Sequence, residues 1–240
     1  MSTPATALPS GFVGRVARLL ERVEYRRAVS EADRQAIYEL RYEAYLREGA
    51  ISPNFSRRYS DSHDDDDNAW VIGLHIEGKL ASSFRVHVGS REFPDIPAMQ
   101  VFADFLEPEL AAGKVIVDPT RFVVDQTLAV RYPELPYLTV RVGHMAAEYF
   151  EADIVLATVR AEHQAFYRRV FGHAPVCLPR PYPGLLKPIS LMMLDVNASR
   201  PAINARYPFF VSTPEEREMV FGSPPAPAKR ASVPAVPVAV

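Results

Sequence analysis

One cysteine in 240 residues is the sharpest shortage in this sequence. Cys177 has no partner for an internal disulfide and no companions for a multi-cysteine metal site, a usage that suits a reducing cytoplasm. Long apolar runs are missing too, since none approaches the roughly 18 residues of a membrane span. The opening Met1-Ser2-Thr3-Pro4 lacks the basic start and apolar block of a secretion signal, so a cytoplasmic protein is expected. Nor is charge of one sign in excess: 27 Lys and Arg against 29 Asp and Glu leave a net charge of -2, which supplies no overall pull toward nucleic acid. The histidines His63, His75 and His87 fall in different loops or strands, and His144, His163 and His173 are scattered, so spacing predicts no metal site. No Gly-x-Ser-x-Gly occurs and Cys177 has no evident partner, which removes support for nucleophilic catalysis.

What is present reads as one ordinary globular domain, 48% hydrophobic and 23% charged. Residues 1–10 and the Pro, Ala, Val and Ser-rich stretch 223–240 cannot bury enough apolar area to offset ordering entropy, so both ends are expected to be disordered around a domain at 11–222. Phe12, Val16, Leu19, Leu20 and Val23 fall at helical spacing with Arg15, Arg18 and Arg22 along one flank. That basic amphipathic helix packs on its own domain or meets an anionic lipid surface or acidic partner.

A short strand near Glu24–Val29 precedes Ser30-Glu31-Ala32-Asp33, an N-cap opening a helix that Gly49 ends. Arg41 and Tyr45 stack one turn apart on it. The loop 52–68 carries Asp61-Ser62-His63-Asp64-Asp65-Asp66-Asp67 and reads by default as a solvated acidic loop; it lacks the glycine and glutamate of a helix-loop-helix calcium site. Two alternating strands between Trp70 and Val88 turn at Glu77-Gly78-Lys79, with Arg85 pointing away from Phe84 and Val86. A helical piece around Pro97–Ala112 follows. From Pro136 to Ala152 a helix is apolar around most of its circumference, with Arg141, His144 and Glu148 as a narrow polar stripe. A strand Ile154–Val159, a short helix Glu162–Phe171 closed by Gly172, and a last strand pair over about Val176–Val196 complete the order. Such an order predicts an α/β mixed sheet with helices on both faces.

The stretch Val115–Asp125 stands out. Two apolar β-branched runs flank Asp118, Pro119, Thr120 and Arg121. A proline cannot donate to a ladder, so Pro119 marks a bulge or a place where neighbouring strands part. Burying a carboxylate, a hydroxyl and a guanidinium costs several kcal/mol unless they are paired, a cost tolerated at working sites; the plain alternative is an internal Asp118–Arg121 pair that closes a bulge.

This order, with an interrupted central strand and a helix ending Phe166-Tyr167-Arg168-Arg169-Val170-Phe171-Gly172, resembles the GNAT superfamily of acyltransferases. The resemblance implies a fold whose two central strands splay to admit an acyl thioester, and it puts Tyr167 where a tyrosine protonates the departing thiolate. A narrower resemblance, to acyl-homoserine-lactone synthases and long-chain N-acyl amino acid (N-acyl tyrosine) synthases, rests on an ordered set: Leu40-Arg41 with Tyr45, Asp61 with Asp64, Arg85, and Asp118-x-Thr120-Arg121-Phe122. Asp118 stands where the lactone synthases have Glu, and their tryptophan soon after the aromatic is absent, so the amino acid synthases fit better. The Gln/Arg-x-x-Gly-x-Gly/Ala loop for coenzyme A pyrophosphate is missing after Val124, which points to an acyl carrier protein as donor ahead of acyl-coenzyme A.

On that resemblance an amino acid is the acceptor and Asp118 takes the amine's proton directly or through one water. A backbone N–H freed near Pro119 would stabilise the oxyanion. Arg41, Arg85 and Arg121 would bind the acceptor's carboxylate or pair with Asp61 and Asp64; Thr120, Phe122 and Tyr45 complete the substrate-binding set. Leu138, Val142, Met145 and Tyr149 would wall the acyl chain. No cofactor or metal is implied. A lactone synthase, another GNAT N-acyltransferase, and a non-catalytic acyl-carrier or lipid-binding module are the alternatives.

Overall fold

The computed structural model describes residues 11–222. The two ends expected to be disordered lie outside the described residues. The chain runs α1 (Gly11–Leu20), β1 (Val23–Arg27), α2 (Glu31–Arg47), β2 (Ala69–Ile76), β3 (Lys79–Gly89), α3 (Met99–Ala111), β4 (Ile116–Val124), α4 (Gln126–Arg131), α5 (Leu135–Tyr149), β5 (Ile154–Val159), α6 (Gln164–Phe171), β6 (Ala174–Pro175), β7 (Ser190–Asp195), α7 (Val196–Arg206) and α8 (Pro214–Phe221).

The seven strands form one sheet in the order β1-β2-β3-β4-β5-β7-β6. Every neighbouring pair is antiparallel except β4 and β5. The β2–β3 hairpin turns on Glu77 and Gly78, both at positive φ (52° and 79°), the backbone that a two-residue turn between twisted strands demands. One face buries Ile72, Leu74, Phe84, Val86 and Val117 under α5. The other packs Ile116, Leu156 and Leu191 against Phe102 and Leu106 of α3, while Ile37 and Tyr38 of α2 cover Val71. Both faces are thus covered, as an α/β sheet requires.

The central break does two separate things. Parallel pairing of β4 with β5 is confined to Ile116↔Ile154 and Val117↔Val155; beyond it β4 stays with β3 while β5 continues along β7 to Val159↔Ser190. The strands part at Asp118 and Pro119, where the sequence turns polar and proline withdraws a donor. The bulge lies further on: Arg85 faces Thr120 but Ser83 faces Val123, so β4 carries one extra residue, and Arg121 takes φ +55°. A bulge at Pro119 is therefore corrected to one around Arg121, a non-glycine residue in the left-handed region.

Three further differences concern the second half. The last strand pair shrinks to a two-residue β6 and β7, and residues 176–189 form a strap tied by an isolated Arg180↔Ile189 bridge. Helices α4, α7 and α8 are additions. The polar stripe of α5 serves the C-terminal ones: Arg141 donates to the carbonyls of Phe209 and Val211 (2.8 Å each), His144 meets Asn204 (2.9 Å), and Glu148 accepts from Arg217 (2.8 Å). Helix α1 packs on its own domain, with Val16 and Leu19 in the core and Arg15 and Arg22 paired with Glu134 and Glu77. No helix among the described residues is long and apolar enough to cross a membrane.

Candidate active site

The parting of β4 from β5 opens a cavity of about 370 Å³. Tyr45 of α2, Pro119 to Val124 of β4, Thr158 to Arg160 at the end of β5, Phe166 and Tyr167 of α6, and Leu185 of the strap line it. Its volume lies in the range of small-molecule sites. On the other side of Pro119 and Tyr167 a second, apolar hollow of about 30 Å³ is bounded by Phe84, Val140, Gly143 and Phe171. Leu138, Val142 and Met145 line neither space, being packed into the core, and Tyr149 bonds Glu218 instead. The expected acyl wall is corrected: α5 presents Val140 and Gly143 to the gap.

Beside the cavity the acidic loop folds onto β3 and β4: Asp65 and Asp67 stay solvated, as expected, but Asp61 and Asp64 turn inward. Asp61 and Asp64 cap a short 3₁₀ turn (Ser62–Asp64) reciprocally, which aims both at arginines. Arg41 Nη1 donates to Asp64 Oδ1 and Oδ2 (2.7 and 2.9 Å), with both side chains buried. Arg85 Nη1 reaches Asp61 Oδ1 (2.5 Å) and Asp64 Oδ1 (3.1 Å), while its Nε donates to Thr120 Oγ1 (3.0 Å). Arg121 Nη2 pairs with Asp61 Oδ2, and its Nη1 donates to the Tyr59 hydroxyl (3.2 Å). The Arg121 guanidinium also lies over the Tyr59 and Tyr45 rings, 4.7 and 5.9 Å from their centroids, a cation–π arrangement. Burial alone would raise Asp61 and Asp64, but the facing guanidiniums outweigh it and hold both below the usual carboxylate range. Of the three arginines, Arg121 lines the cavity and Arg41 and Arg85 do not.

Asp118 is handled differently. The expected Asp118–Arg121 pair does not exist: Asp118 Oδ2 accepts from the backbone N–H of Ala98 (2.9 Å), at the start of α3, and Oδ1 has no partner. Its side chain is fully buried and does not line the cavity, although Thr120, two residues on, does. Burial pushes its carboxyl up to about 6, against the Ala98 amide and the charges of Arg85 and His63. Tyr167 faces both spaces, and burial with the neighbouring Tyr45 raises its phenol, so the proton stays on oxygen until a stronger base forms.

Sequence spacing missed several partners. Tyr59 fixes Arg121 and donates to the Gly184 carbonyl (3.1 Å), while Tyr182 donates to Pro97 (3.0 Å), pinning the strap over the arginines. His63 and His87, 24 positions apart, meet with ring centroids 5.7 Å apart around Asp66. Their donor atoms lie within 4.8 Å of one another, but a metal on His87 Nε2 would leave a buried Nδ1–H with no acceptor, where ligating imidazoles donate their second N–H. The set reads as hydrogen bonds. Only the alternation that put His87 on Arg85's face of β3 signalled it.

The family model of the N-acyl amino acid synthase FeeM matches residues 36–195, more than half of the chain and all the elements that build this site. The chain belongs to the FeeM family. It is an amide-forming acyltransferase that moves an acyl group to an amine. Among solved structures, FeeM from uncultured soil microbes is 19% identical, with a TM-score of 0.60 over 73% of this chain and 92% of that one. BjaI, a CoA-dependent acyl-homoserine lactone synthase, is 15% identical, with a TM-score of 0.55 over 79% and 89%. TofI, solved with an inhibitor and MTA, is 13% identical, with a TM-score of 0.58 over 79% and 100%. These likenesses show a shared GNAT-like fold. No curated protein matches the sequence.

Proposed function

We propose that this FeeM-family chain makes N-acyl amino acids, transferring an acyl chain from a carrier-protein thioester to the α-amino group of an amino acid. The observation that carries the reading is the joining, at one strand break, of an apolar cavity with three arginines and an unpaired buried carboxylate. The thioester lies where β4 and β5 part, its chain directed past Pro119 and Tyr167. A backbone N–H of β4 beyond Val117, on the edge that β5 has left, faces its carbonyl. Arg121, whose Nε is unpartnered, receives the amino acid carboxylate, while Arg41 and Arg85 hold Asp61 and Asp64 and so fix the pocket.

A buried carboxyl near pH 6 is charged at neutral pH yet basic enough to accept the ammonium proton. It does so through one water or after a shift of the strap, since the side chain is sealed at rest. Attack by the freed amine expels the thiolate, and Tyr167 donates to it.

A carrier donor is favoured by the helix after β4. Of the first free amides of α4, that of Leu128 is taken by Asp125 (2.8 Å), so a carboxylate sits where a pyrophosphate would seek that helix end. Arg47, Arg160 and Lys187 on the cavity lining suit the single phosphate of a carrier's prosthetic arm. BjaI is CoA-dependent, so the test offers both donors. Purified protein incubated with acyl-carrier protein or acyl-coenzyme A and a mixture of amino acids, followed by mass spectrometry, is expected to yield N-acyl amino acids with the carrier donor. Lactone product, or turnover with coenzyme A alone, would refute this reading.

A further inference from the structure

Amide formation from an ammonium group creates a proton-disposal problem that the buried position of Asp118 makes acute. The ammonium nitrogen carries three protons and the amide nitrogen one. One of the two released goes to the leaving thiolate, and the other must reach solvent in every turnover. Asp118 is 0% exposed and one of its oxygens is held by Ala98, so the proton needs a route.

We propose that His87 and Asp66 are that route, a relay from Asp118 Oδ1 through the imidazole to Asp66 and water; the proposal rests on Asp118 being the base. His87 stands directly across from Asp118 in the β3–β4 ladder, which puts both side chains on one face with Cβ atoms about 5 Å apart. Each carries one buried polar atom without a partner, Oδ1 of Asp118 and Nδ1 of His87. The other imidazole nitrogen of His87, Nε2, donates to Asp66 Oδ2 (3.2 Å), and Asp66 is 33% exposed, the outlet the buried pair lacks. His63 Nδ1 donates to the same oxygen (2.7 Å) and accepts at Nε2 from Gln100 of α3 (2.6 Å), so Asp66 is held in place from the outer side.

The groups facing the relay are Arg85 on β3, His63 and Asp66 from the loop, Asp118 on β4, and Tyr182 from the strap. Asp118 Oδ1 and His87 Nδ1 are not hydrogen-bonded to each other at rest, so the step begins with a side-chain shift that brings them together; the Asp118 O–H bond then breaks as His87 Nδ1–H forms. The Nε2 proton then moves to Asp66 Oδ2 and is lost to water, which leaves the Nδ1–H tautomer. A half-turn of the ring carries Nδ1–H away from Asp118, exchange with water takes that proton off Nδ1 and puts one on Nε2, and the ring's return restores the starting state. Burial and the Arg85 charge keep the imidazole at about 4, so it is neutral at rest and passes a proton on without storing it.

The test has two arms. In kinetics with saturating acyl-carrier protein and amino acid, His87→Gln and Asp66→Asn should lower kcat on the order of tenfold with KM for both substrates unchanged. Because position 66 is exposed, added imidazole buffer should restore Asp66→Asn, a recovery that a packing defect would not show. In the second arm, nitrogen-15 NMR of the parent should show the His87 ring resonances inflecting near the pH at which Asp118 titrates, about 6, and Asp118→Asn should abolish that inflection. Parental kcat in both variants, loss that tracks only the unfolded fraction, or a His87 signal indifferent to Asp118 would each overturn the relay. A parent that makes no amide would refute the proposed function instead, with the NMR arm still deciding the coupling.

Discussion

The arginine–aspartate cradle and the niche around Asp118 are neighbours on one face of the sheet, yet they treat buried negative charge in opposite ways. Asp61 and Asp64 share three guanidiniums and are held ionised, whereas Asp118 has one backbone amide and an empty oxygen. Compensated carboxylates fix geometry because their protonation does not change near neutral pH. An uncompensated one can change protonation there, and pairs of acids pushed apart in this way separate structural from chemical roles.

The largest expected effect comes from breaking the cradle. Asp64→Ala strands Arg41, which is fully buried with Nε and Nη2 already unpartnered, and removing one member of a buried pair costs about 3–5 kcal/mol. Urea unfolding should show that loss at pH 7. The cradle's stabilisation is present above the ordinary Asp value of 3.8 and fades as pH falls below it, because the folded-state values lie under it. A loss under 1 kcal/mol would mean that Arg41 finds another partner.

Asp118→Asn should do the reverse. The folded carboxyl near 6 lies above its ordinary 3.8, so the protonated form contributes stability that is complete below 3.8 and gone above about 6. Asparagine keeps an acceptor for Ala98 and never ionises. The variant should therefore outlast the parent at pH 8 by on the order of 3 kcal/mol, the gap closing by pH 4. Its kcat should fall on the order of 10²-fold, and parental activity should rise through pH 6 as the base ionises. A variant that melts far below the parent at pH 8 but stays active would assign Asp118 to packing.

Legibility in the sequence divides along the same line. Residues of regular elements could be placed by alternation and helical spacing: Arg85 on the face away from Phe84 and Val86, Arg41 one turn from Tyr45, and the interruption at Pro119. What the acidic loop does could not be read, because Asp61, Asp64 and Asp66 are one polar run until it folds back and gives each a different neighbour. Tyr59, Tyr182 and the His63–His87 contact depend on the same aperiodic segments. Helix α7 was silent for another reason, since it buries only Val196 and Ile203 and contains Pro201. Helix α8 did carry a signal, the Thr213–Glu216 capping box, but with two buried residues it offers no stripe.

Arg121→Lys sharpens the comparison at its boundary, since Arg121 is the arginine of the cradle that lines the cavity. Lysine keeps the charge near Asp61 but cannot also reach the Tyr59 hydroxyl with a planar fork. KM for the amino acid should rise about tenfold with kcat within a factor of about two. Equal falls in kcat and kcat/KM would instead place Arg121 in the transition state.

The smallest expected effect lies on the opposite face, where no charge is involved. Gly143 sits inside α5 at the wall of the small hollow, and a Cβ built there meets Pro119 Cγ at 3.5 Å and the Phe84 ring at 3.7 Å, ordinary contact distances. Gly143→Ala therefore fits without displacing its neighbours, and alanine's better helix propensity favours the fold by about 1 kcal/mol. The same methyl group occupies space between Pro119 and α5, the way past the strand break that the acyl chain is proposed to take. Melting temperature should hold or rise while the preferred acyl chain shortens, read from competition between donors of different length by product mass. An unchanged length preference with raised stability would place the chain entirely on the cavity side of Tyr167, and the hollow behind it would then be a packing defect in the core.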